Sequence, residues 1–405
     1  MSKIYDVGII GAGVAGVFAS LRAAENYKKE SVLVLELGRP MLKRRRQLEA
    51  WLGCLPFSDG KIHTDISKIL EIIDGRKVKP VDKWVKSVLS EAGPIKVIKD
   101  KLPNSLIQKK SNDLGFELQT NDYIQWKPEY IHKLSKIISE ITLDSENITF
   151  SFDNEVLQIL KKDGVFELTT QLGDFKCEKI IIAVGRSGWR WAHDIYKSFD
   201  LITEDNYAYL GIKAECSAQY MKELNHTHCS MIKDNLEIGP FCWDGAVIPE
   251  DHADVVLSAF RSNEERWKKM GKNKVVFDII SKQCFPENGI KEMERLAKLA
   301  FLLFNDRIGR EKIKSIVKKE SILSQIPEYN FLIDSVEEVN NILPNLINRG
   351  YFHAPTIKPQ TAPIVINSNL ETEVDGMFVA GESAGLFGIN NAAITGVIAI
   401  DSCLR

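Results

Sequence analysis

The sequence predicts an α/β protein in which a doubly wound, parallel-sheet domain carries an inserted domain of mixed α+β structure. Two observations predict the doubly wound domain. Near the start of the chain, the apolar run from Tyr5 to Ile10 passes through glycines into a helical pattern from Val14 to Asn26. Near the end, the run from Gly376 to Ala380 passes through glycines into a helical pattern from Asn390 to Leu404. Both ends of the chain therefore have the strand, turn and helix of an α/β sheet.

The segments between these ends add further strands. A second apolar strand, Ser31 to Glu36, completes a βαβ unit with the first strand and helix. A helical pattern opened by a proline covers Pro128 to Ile141. The β-rich runs that follow it are Ile148 to Phe152, Glu155 to Lys161, Phe166 to Gln171 and Lys179 to Val184. The last of these runs is almost entirely apolar and β-branched, which is typical of a central parallel strand.

The doubly wound domain is predicted to be discontinuous and to comprise residues 1–40, 110–195 and 355–405. Residues 41–109 are basic and punctuated by glycine and proline, so we expect them to leave the sheet and to contain one helix, Val81 to Ala92. Residues 200–350 form the second domain. Its predicted elements are strands at Tyr207 to Glu215 and Ala253 to Phe260, and helices at Gly289 to Phe304 and Asp306 to Lys319.

The composition argues against several classes of partner. The chain has 405 residues, of which 44% are hydrophobic and 27% are charged, and its formal net charge is -2. This balance is ordinary for a globular protein and provides no bulk attraction to nucleic acid. The longest apolar stretch, Leu296 to Phe304, is far shorter than the ~20 residues of a membrane-spanning helix. We therefore expect neither a nucleic-acid partner nor a membrane partner.

The cysteines favour a reducing environment. The seven cysteines are scattered and include no C-x-x-C pair, which argues against a disulfide framework and a zinc site. The predicted location is the cytoplasm. His226 and His228 precede Cys229, but no fourth ligand follows at a suitable spacing, so we expect a surface loop there and no bound metal. The basic run Lys43 to Arg46 predicts either a solvated face or contacts with an anionic ligand.

The first glycine turn has the pattern of a dinucleotide-binding loop. Gly11, Gly13 and Gly16 form a Gly-x-Gly-x-x-Gly motif between the first strand and the first helix. In such a loop the first glycine makes the turn, the second admits the pyrophosphate, and the third lets the helix pack closely. Glu36 ends the next strand, where a carboxylate can accept hydrogen bonds from ribose hydroxyls. These four residues predict a site for a dinucleotide cofactor.

The C-terminal segment indicates which dinucleotide binds. Gly381-Glu382-Ser383-Ala384-Gly385 follows the last predicted strand. Glu382, after Gly381, is placed to meet a ribityl hydroxyl. The helix that starts at Asn390 and Asn391 can direct its N-terminus at the pyrimidine edge of a flavin, where negative charge develops on reduction. The segment therefore predicts that the cofactor is FAD.

A third glycine turn, with Gly185 at the start of Gly185-Arg186-Ser187-Gly188, follows the central strand. With one such element near each end of the chain and one near the middle, the chain resembles the FAD domain of the glutathione-reductase-type flavoproteins. The resemblance implies a Rossmann-like FAD-binding domain. No second Gly-x-Gly-x-x-Gly motif follows, so the separate NAD(P)H domain of the disulfide reductases is missing.

Further motifs narrow this resemblance. Together with the Gly185 turn and the Gly381 segment, the sequence is similar to the bacterial family of FAD-dependent, or NAD(FAD)-utilising, dehydrogenases. The additional motifs are Phe57-Ser58-Asp59-Gly60-Lys61, Leu210-Gly211-Ile212-Lys213-Ala214-Glu215, Phe241-Cys242-Trp243-Asp244-Gly245 and Thr356-Ile357-Lys358-Pro359-Gln360. This chain departs from the family in one motif, where Trp243-Asp244 replaces a cysteine and a proline. The resemblance implies FAD and redox chemistry but specifies no substrate.

The predicted function is therefore that of an FAD-dependent oxidoreductase that transfers a hydride between a small organic substrate and flavin N5. The candidate residues for proton transfer or substrate anchoring are Asp59, Lys61, Cys242 and Lys358. The electron partner is NAD(P)H, a protein electron carrier or the substrate itself.

Three alternatives stay open at this point. The first is a flavin monooxygenase. The second is a halogenase, suggested by Trp189-Arg190-Trp191, although Ala192-His193-Asp194 does not continue that signature. Two aromatic residues that cover a loop or line a pocket explain the tryptophans more simply. The third alternative is a non-catalytic flavin-binding protein.

Overall fold

The computed structural model of the protein describes residues 3–40, 49–201, 207–252, 255–261, 265–285, 289–358 and 364–405. The chain divides into two compact units. Unit 1 consists of Met1–Val97, Ile124–Glu204 and Gln360–Arg405, and unit 2 consists of Ile98–Tyr123 and Asp205–Pro359. Within the described residues, no helix has both the length and the apolar character needed to cross a membrane.

Both units of the chain contain strands and helices. The strands are β1 (Ile4–Ile10), β2 (Val32–Leu35), β3 (Lys61–His63), β4 (Val97–Ile98), β5 (Glu117–Gln119), β6 (Tyr123–Gln125), β7 (Ile148–Ser151), β8 (Val156–Lys162), β9 (Val165–Thr170), β10 (Gly173–Ile182), β11 (Tyr207–Ser217), β12 (Ser230–Lys233), β13 (Leu236–Ile238), β14 (Cys242–Trp243), β15 (Ala246–His252), β16 (Val255–Arg261), β17 (Lys274–Cys284), β18 (Gly309–Lys312), β19 (Tyr351–Lys358) and β20 (Met377–Val379). The helices are α1 (Val14–Asn26), α2 (Ser67–Ile72), α3 (Gly75–Ala92), α4 (Ser105–Asp113), α5 (Pro128–Leu143), α6 (Trp189–Ser198), α7 (Glu265–Gly271), α8 (Gly289–Leu303), α9 (Lys314–Val317), α10 (Phe331–Ile342), α11 (Leu346–Arg349) and α12 (Ile389–Leu404).

Unit 1 is built on a parallel sheet whose strand order is that of a doubly wound fold. β1 lies between β2 and β10 and is parallel to both, β7 is parallel to β2, and β20 is parallel to β10. Numbered by their order in the chain, the five parallel strands therefore stand in the order 3-2-1-4-5, as in Rossmann-type domains. The order reverses between β1 and β10. In such sheets, ligands bind at the carboxyl ends of the strands on either side of this reversal. The predicted fold class is confirmed.

Alternating side chains of the parallel strands form a core on each face of the sheet. Val7, Ile9 and Val34 are fully buried in a core that also contains side chains of α1, α3, α5 and α12. Leu33 and Ile182 point to the opposite core, which includes side chains of α6. Because both faces are covered, the strands are almost continuously apolar, which is the pattern that made them visible in the sequence.

Unit 2 is a mixed α+β unit around an antiparallel sheet. Its strands stand in the order β18-β19-β11-β17-β13-β12-β5, with β14 also paired to β17. β15 and β16 form a separate antiparallel pair. The long central strands β11 and β17 pair along their whole length, from Tyr207 opposite Cys284 to Ser217 opposite Lys274.

The unit boundaries differ from the expected ones between residues 41 and 123. Up to Val97 the chain belongs to unit 1, whereas Ile98–Tyr123 belongs to unit 2. The reason is strand pairing, because Leu118 of β5 lies opposite Met231 of β12. α4 also contacts α10. The part predicted as residues 110–123 of the first domain is thus held by the second sheet.

Two element predictions were wrong. In the described part of this segment, residues 49–109, the structure has α2, α3 and the start of α4 where one helix was predicted. α3 starts at Gly75, before Pro80, because the Asp74 side chain caps it by accepting a hydrogen bond of 2.7 Å from the Arg76 amide. The helix predicted for Asp306 to Lys319 is instead strand β18 followed by the short α9. Gly309 of β18 pairs with Ala354 of β19, so long-range pairing overrides the local helical pattern.

Candidate functional site

The first glycine turn lies at the carboxyl end of β1, beside the reversal of strand order. Gly11 has a φ of +101°. A Cβ atom there would lie 2.6 Å from the Ala183 carbonyl oxygen, and one on Gly16 would lie 1.9 Å from the Gly11 carbonyl oxygen. Glycine is therefore required at both positions by the turn and by the close packing of α1.

Glycine at position 13, unlike at positions 11 and 16, is not required by the backbone or by the described packing. Its φ of −67° is open to any residue. The nearest described atom to an added Cβ is the Ala183 carbonyl oxygen at 3.8 Å, an ordinary van der Waals distance. The described packing thus leaves room for a side chain at position 13. A ligand that approaches the backbone closely would account for the glycine.

Glu36 joins the end of β2 to the glycine turn. Its Oε2 atom accepts a hydrogen bond of 2.6 Å from the Ala12 amide, and its Oε1 atom accepts one of 2.7 Å from the Gly38 amide. The residue is only 5% exposed. An ionised carboxylate only accepts hydrogen bonds, which is the role that a contact with ribose hydroxyl donors requires. The sequence predicted a contact between Glu36 and a ligand, but it gave no sign that this residue also holds the backbone of the turn.

Three helices of unit 1 begin with a glycine N-cap and have no side-chain cap. α1 starts after Gly13, α6 after Gly188 and α12 after Gly388. These helices follow β1, β10 and β20, which are neighbouring parallel strands. Because the first backbone N–H groups of a helix have no partner within it, these ends are suited to anionic groups.

α12 and the segment before it pack against α1. A Cβ on Gly396 of α12 would lie 2.1 Å from the Ala15 carbonyl oxygen of α1, so the two helices approach through a glycine, and a Cβ on Gly381 would lie 3.4 Å from the Ala15 Cβ. The Gly381 amide donates a 2.9 Å hydrogen bond to Thr395 Oγ1. Gly385 and Gly388 have φ values of +71° and +99°, which favour glycine at both positions.

Glu382 connects this segment to the middle glycine turn. Its Oε1 atom lies 3.3 Å from Nη2 of Arg186, and both side chains are partly exposed. Gly185, which precedes Arg186, has a φ of +61°. The structure therefore brings together the two segments that the sequence predicted separately, at the carboxyl ends of β10 and β20.

Polar atoms near the start of α12 lack hydrogen-bond partners among the described residues. These buried atoms are Ser383 Oγ and Asn391 Oδ1, whereas the Asn391 side-chain amide donates a 2.9 Å bond to the Phe387 carbonyl. Asn390 is buried, and its amide donates a 3.3 Å bond to Asp82, which also pairs with Lys86 at 2.6 Å. Buried polar atoms without partners are costly, so they mark a place where a polar ligand fits.

Asp59 and Lys61 form a local ion pair in unit 1. Lys61 Nζ lies 2.8 Å from Asp59 Oδ2, and the Lys61 amide donates a 3.0 Å hydrogen bond to Asp59 Oδ1. Gly60 between them has a φ of +75°. The pair joins a proton acceptor to a proton donor on one tight turn.

Cys242 and Lys358 lie in unit 2. Cys242 is buried, with its Sγ atom 3.9 Å from Nδ1 of His228, and that nitrogen lies 3.1 Å from the Phe241 carbonyl oxygen. A proton on Nδ1 bonds the carbonyl, so this nitrogen is not a base for the thiol. Lys358 Nζ lies 3.2 and 3.3 Å from the carboxylate oxygens of Glu237.

The remaining sequence motifs have structural explanations or lie outside the described residues. His228 and Cys229 are buried, so the prediction of a surface loop was wrong for them, and only His226 is exposed. Within the described ranges, no group of three or more His, Cys, Asp or Glu residues could hold a metal ion. The basic run Lys43 to Arg46 lies outside the described residues.

The two tryptophans of the Trp-x-Trp motif begin α6. Trp189 is buried, and Trp191 Nε1 donates a 2.6 Å hydrogen bond to the Val156 carbonyl of β8. They anchor the helix to the sheet, rather than cover a loop.

Comparisons with known proteins give weak likenesses. No protein-family model matches the sequence, and no curated protein matches it. Among solved structures, the chain is similar to glycine oxidase from Geobacillus kaustophilus, with 14% identity and a TM-score of 0.43 over 99% of this chain and 95% of that chain. It is also similar to NikD, described as an unusual amino acid oxidase essential for nikkomycin biosynthesis, with 11% identity and a TM-score of 0.46 over 99% of this chain and 94% of that one. A geranylgeranyl bacteriochlorophyll reductase-like protein from Thermoplasma acidophilum matches with 12% identity and a TM-score of 0.42 over 100% of this chain and 79% of that one. Likenesses of this strength do not assign an activity.

Proposed function

We propose that the protein is an FAD-dependent oxidoreductase, acting as a dehydrogenase or reductase on a small organic substrate. One observation carries the proposal. Three glycine turns that are far apart in the chain lie at the carboxyl ends of β1, β10 and β20, with Glu36 at the end of β2. This is the edge at which doubly wound sheets bind dinucleotides.

The residues of unit 1 fit FAD on three counts. Gly13 is a glycine that the described packing does not require. α1 and α12 present backbone N–H groups with no side-chain cap. Ser383 Oγ and Asn391 Oδ1 are buried without a described partner. The glycine and the helix N-termini suit a pyrophosphate and the flavin pyrimidine edge, which becomes negative on reduction. The buried polar atoms suit a cofactor that offers hydrogen bonds.

The chain's residues divide the binding of FAD between them. The turn from Gly11 to Gly16 and the start of α1 bind the pyrophosphate, and the Glu36 carboxylate accepts from the ribose hydroxyls. Glu382, held by Arg186, accepts from the ribityl chain. The N-terminus of α12, at Asn390 and Asn391, stabilises negative charge at the pyrimidine edge. FAD, when bound, supplies the hydride acceptor and donor, N5.

The charged side chains of Asp59, Lys61 and Lys358 are the groups that would act on the substrate. Asp59 can take a proton from a substrate hydroxyl or amine while Lys61 stabilises the carboxylate at 2.8 Å. Lys358 is the candidate for substrate anchoring. Cys242 fits a structural role better than a catalytic one, because it is buried and its nearest histidine nitrogen faces a carbonyl. The electron partner is NAD(P)H, a protein carrier or the substrate.

The halogenase hypothesis depended on Trp189 and Trp191, but Trp189 is buried and Trp191 bonds the Val156 carbonyl of β8, so both have a structural explanation. Anaerobic reduction of the FAD-loaded protein separates the others. We expect the flavin absorbance to bleach with an organic donor and to recover with an electron acceptor. Rapid reoxidation by air would indicate a monooxygenase, and a flavin that no small reductant bleaches would indicate a non-catalytic protein.

A further inference from the structure

One face of the antiparallel sheet of unit 2 carries charged side chains, and strand β11 shows this arrangement. Along β11, Leu210, Ile212 and Ala214 are fully buried on one face. Lys213 and Glu215 stand on the other face, because successive side chains alternate. Charged side chains on a sheet face are costly to desolvate unless they are paired or meet a polar ligand.

Four charged side chains on this face form a chain of alternating sign, which we call the four-charge cluster. Lys213 Nζ lies 2.5 Å from Asp278 Oδ1, and Asp278 Oδ2 lies 3.9 Å from Lys358 Nζ. Lys358 Nζ lies 3.2 and 3.3 Å from the two oxygens of Glu237. The four residues come from β11, β17, β19 and β13, so the cluster sits on paired strands rather than on loops.

The two ends of the cluster differ in tightness. Lys213 and Asp278 make a short contact, and their side chains are only 12% and 11% exposed. Lys358 contacts its partners at 3.2 to 3.9 Å, longer than the about 2.7–2.9 Å of a strong charge-assisted bond. The Lys358 and Glu237 side chains are 33% and 26% exposed. We call Lys358 and Glu237 the loose pair. Because their contacts are longer and their side chains more exposed, a ligand can reach these two residues and separate them.

Two residues with neutral hydroxyl groups, Tyr209 and Thr356, stand on the same face as Lys358. Tyr209 lies directly across from Lys358 in the pairing of β11 with β19. Burial, and then the charge of Glu237, raise the pKa of Tyr209, so its phenol keeps its proton at neutral pH. Thr356 points to the same face, and its Oγ1 lies 2.5 Å from Ser258 Oγ. The pairing of β11 with β19 shifts register between Gly211 and Lys213, a kind of irregularity found near binding sites.

We propose that Lys358 and Glu237 bind a zwitterionic small molecule of the α-amino-acid class. The Lys358 ammonium binds the carboxylate of the amino acid, and the Glu237 carboxylate binds its ammonium group. The four-charge cluster is electrically neutral, so a zwitterion replaces both halves of the loose pair and leaves no charge uncompensated, whereas a simple anion or cation would leave one. As a statement of substrate class, this inference rests on the proposed function, although the binding itself needs no flavin.

Calorimetric titration of the full chain with the proteinogenic amino acids tests this inference. We expect at least one of them to bind, and its deaminated and decarboxylated analogues, such as propionate and ethylamine for L-alanine, to bind at least about tenfold more weakly. Lys358→Met and Glu237→Gln should each weaken binding of that amino acid by about tenfold or more.

Lys274→Met is the matched control. Lys274 is on the same sheet, is 37% exposed and pairs with Glu215 at 3.3 Å, so it matches Lys358 in its exposed fraction and in the length of its ion pair. We expect this variant to bind as the wild type does. The inference is overturned if no amino acid binds the wild-type protein, if the deaminated analogue binds equally well, or if Lys358→Met and Lys274→Met weaken binding equally.

Measurements on the protein without FAD and with FAD distinguish a failure of this inference from a failure of the proposed function. Amino-acid binding to protein without FAD would stand even if no flavin chemistry were found. Flavin reduction by a donor without an ammonium or a carboxylate group, unchanged in Lys358→Met, would support the proposed function and overturn the assignment of amino acids as its substrate class.

Discussion

The backbone amide of Ala12 donates a 2.6 Å hydrogen bond to the side chain of Glu36. This bond connects the end of β2 to the turn after β1. It gives Glu36 two tasks at once, because the carboxylate that is proposed to accept from ribose also fixes the backbone proposed to receive the pyrophosphate.

Substitutions at Glu36 should reveal both tasks. Glu36→Ala leaves the Ala12 and Gly38 amides without their acceptor, so we expect FAD to bind about 10- to 100-fold more weakly and the free energy of unfolding to fall by about 1–3 kcal/mol. Glu36→Gln keeps one acceptor oxygen, so we expect smaller losses of FAD affinity and of the free energy of unfolding. FAD titration and urea unfolding measure the two effects. Unchanged dissociation constants in both variants would remove Glu36 from the site.

Glu382→Ala should alter the bound flavin more than the fold. The substitution removes the partly exposed partner of Arg186 and the proposed ribityl contact, so we expect FAD affinity to fall by about tenfold or more. Glu178→Ala is a matched control, because Glu178 is an exposed glutamate on β10 in the same unit. If flavin occupancy and reduction potential match the control, the segment Gly381 to Gly385 is not a flavin motif.

The buried carboxylate of Glu215 predicts acid sensitivity of unit 2. Burial alone would raise its pKa, but hydrogen bonds from His353 and Arg310 lower the pKa from 4.5 to about 2. Because the folded-state pKa is depressed, the stabilisation is present above pH 4.5 and is lost as the pH falls towards about 2. Glu215→Gln should flatten the pH dependence of unfolding in this window. A variant with the slope of the wild type would contradict this assignment.

Nicotinamide cofactors should reduce the flavin slowly. The sequence contains one Gly-x-Gly-x-x-Gly motif, which is assigned to FAD, so NADH and NADPH lack a second preformed pyrophosphate turn. Stopped-flow mixing under argon should show reduction that is hard to saturate. Fast reduction that saturates at micromolar nicotinamide would indicate a second nucleotide site.

The parts of the fold that could be predicted from sequence are those set by local patterns. The helix Val14–Asn26 was predicted with the bounds that the structure shows, since a glycine turn opens it and an apolar strand precedes it. The start of α12 was predicted to within one residue for the same reason. Neither element needs information from distant residues.

The parts of the fold that could not be predicted from sequence depend on pairing between strands that are far apart in the chain. The strand β18 has a local pattern that favours helix, and only its pairing with β19 makes it a strand. The segment Ile98–Tyr123 belongs to unit 2 because β5 pairs with β12, which lies more than a hundred residues later. The ion pair of Lys358 with Glu237 also depends on sheet order, so the sequence could offer Lys358 only as a lone candidate.

The FAD content of a Gly13→Asp variant is the most direct measure of whether unit 1 binds FAD. An aspartate there places a side chain and a negative charge where the pyrophosphate is proposed to lie, at a position with room for a Cβ in the described packing. Gly75→Asp is the control, because Gly75 is in the same unit at the start of α3, where an added Cβ would meet only the Leu70 and Lys79 side chains, at 3.4 and 3.8 Å. We expect the wild-type and Gly75→Asp proteins to bind FAD stoichiometrically and the folded Gly13→Asp protein to bind none. Full FAD content in Gly13→Asp, or no FAD binding by the wild-type protein, would contradict the proposal.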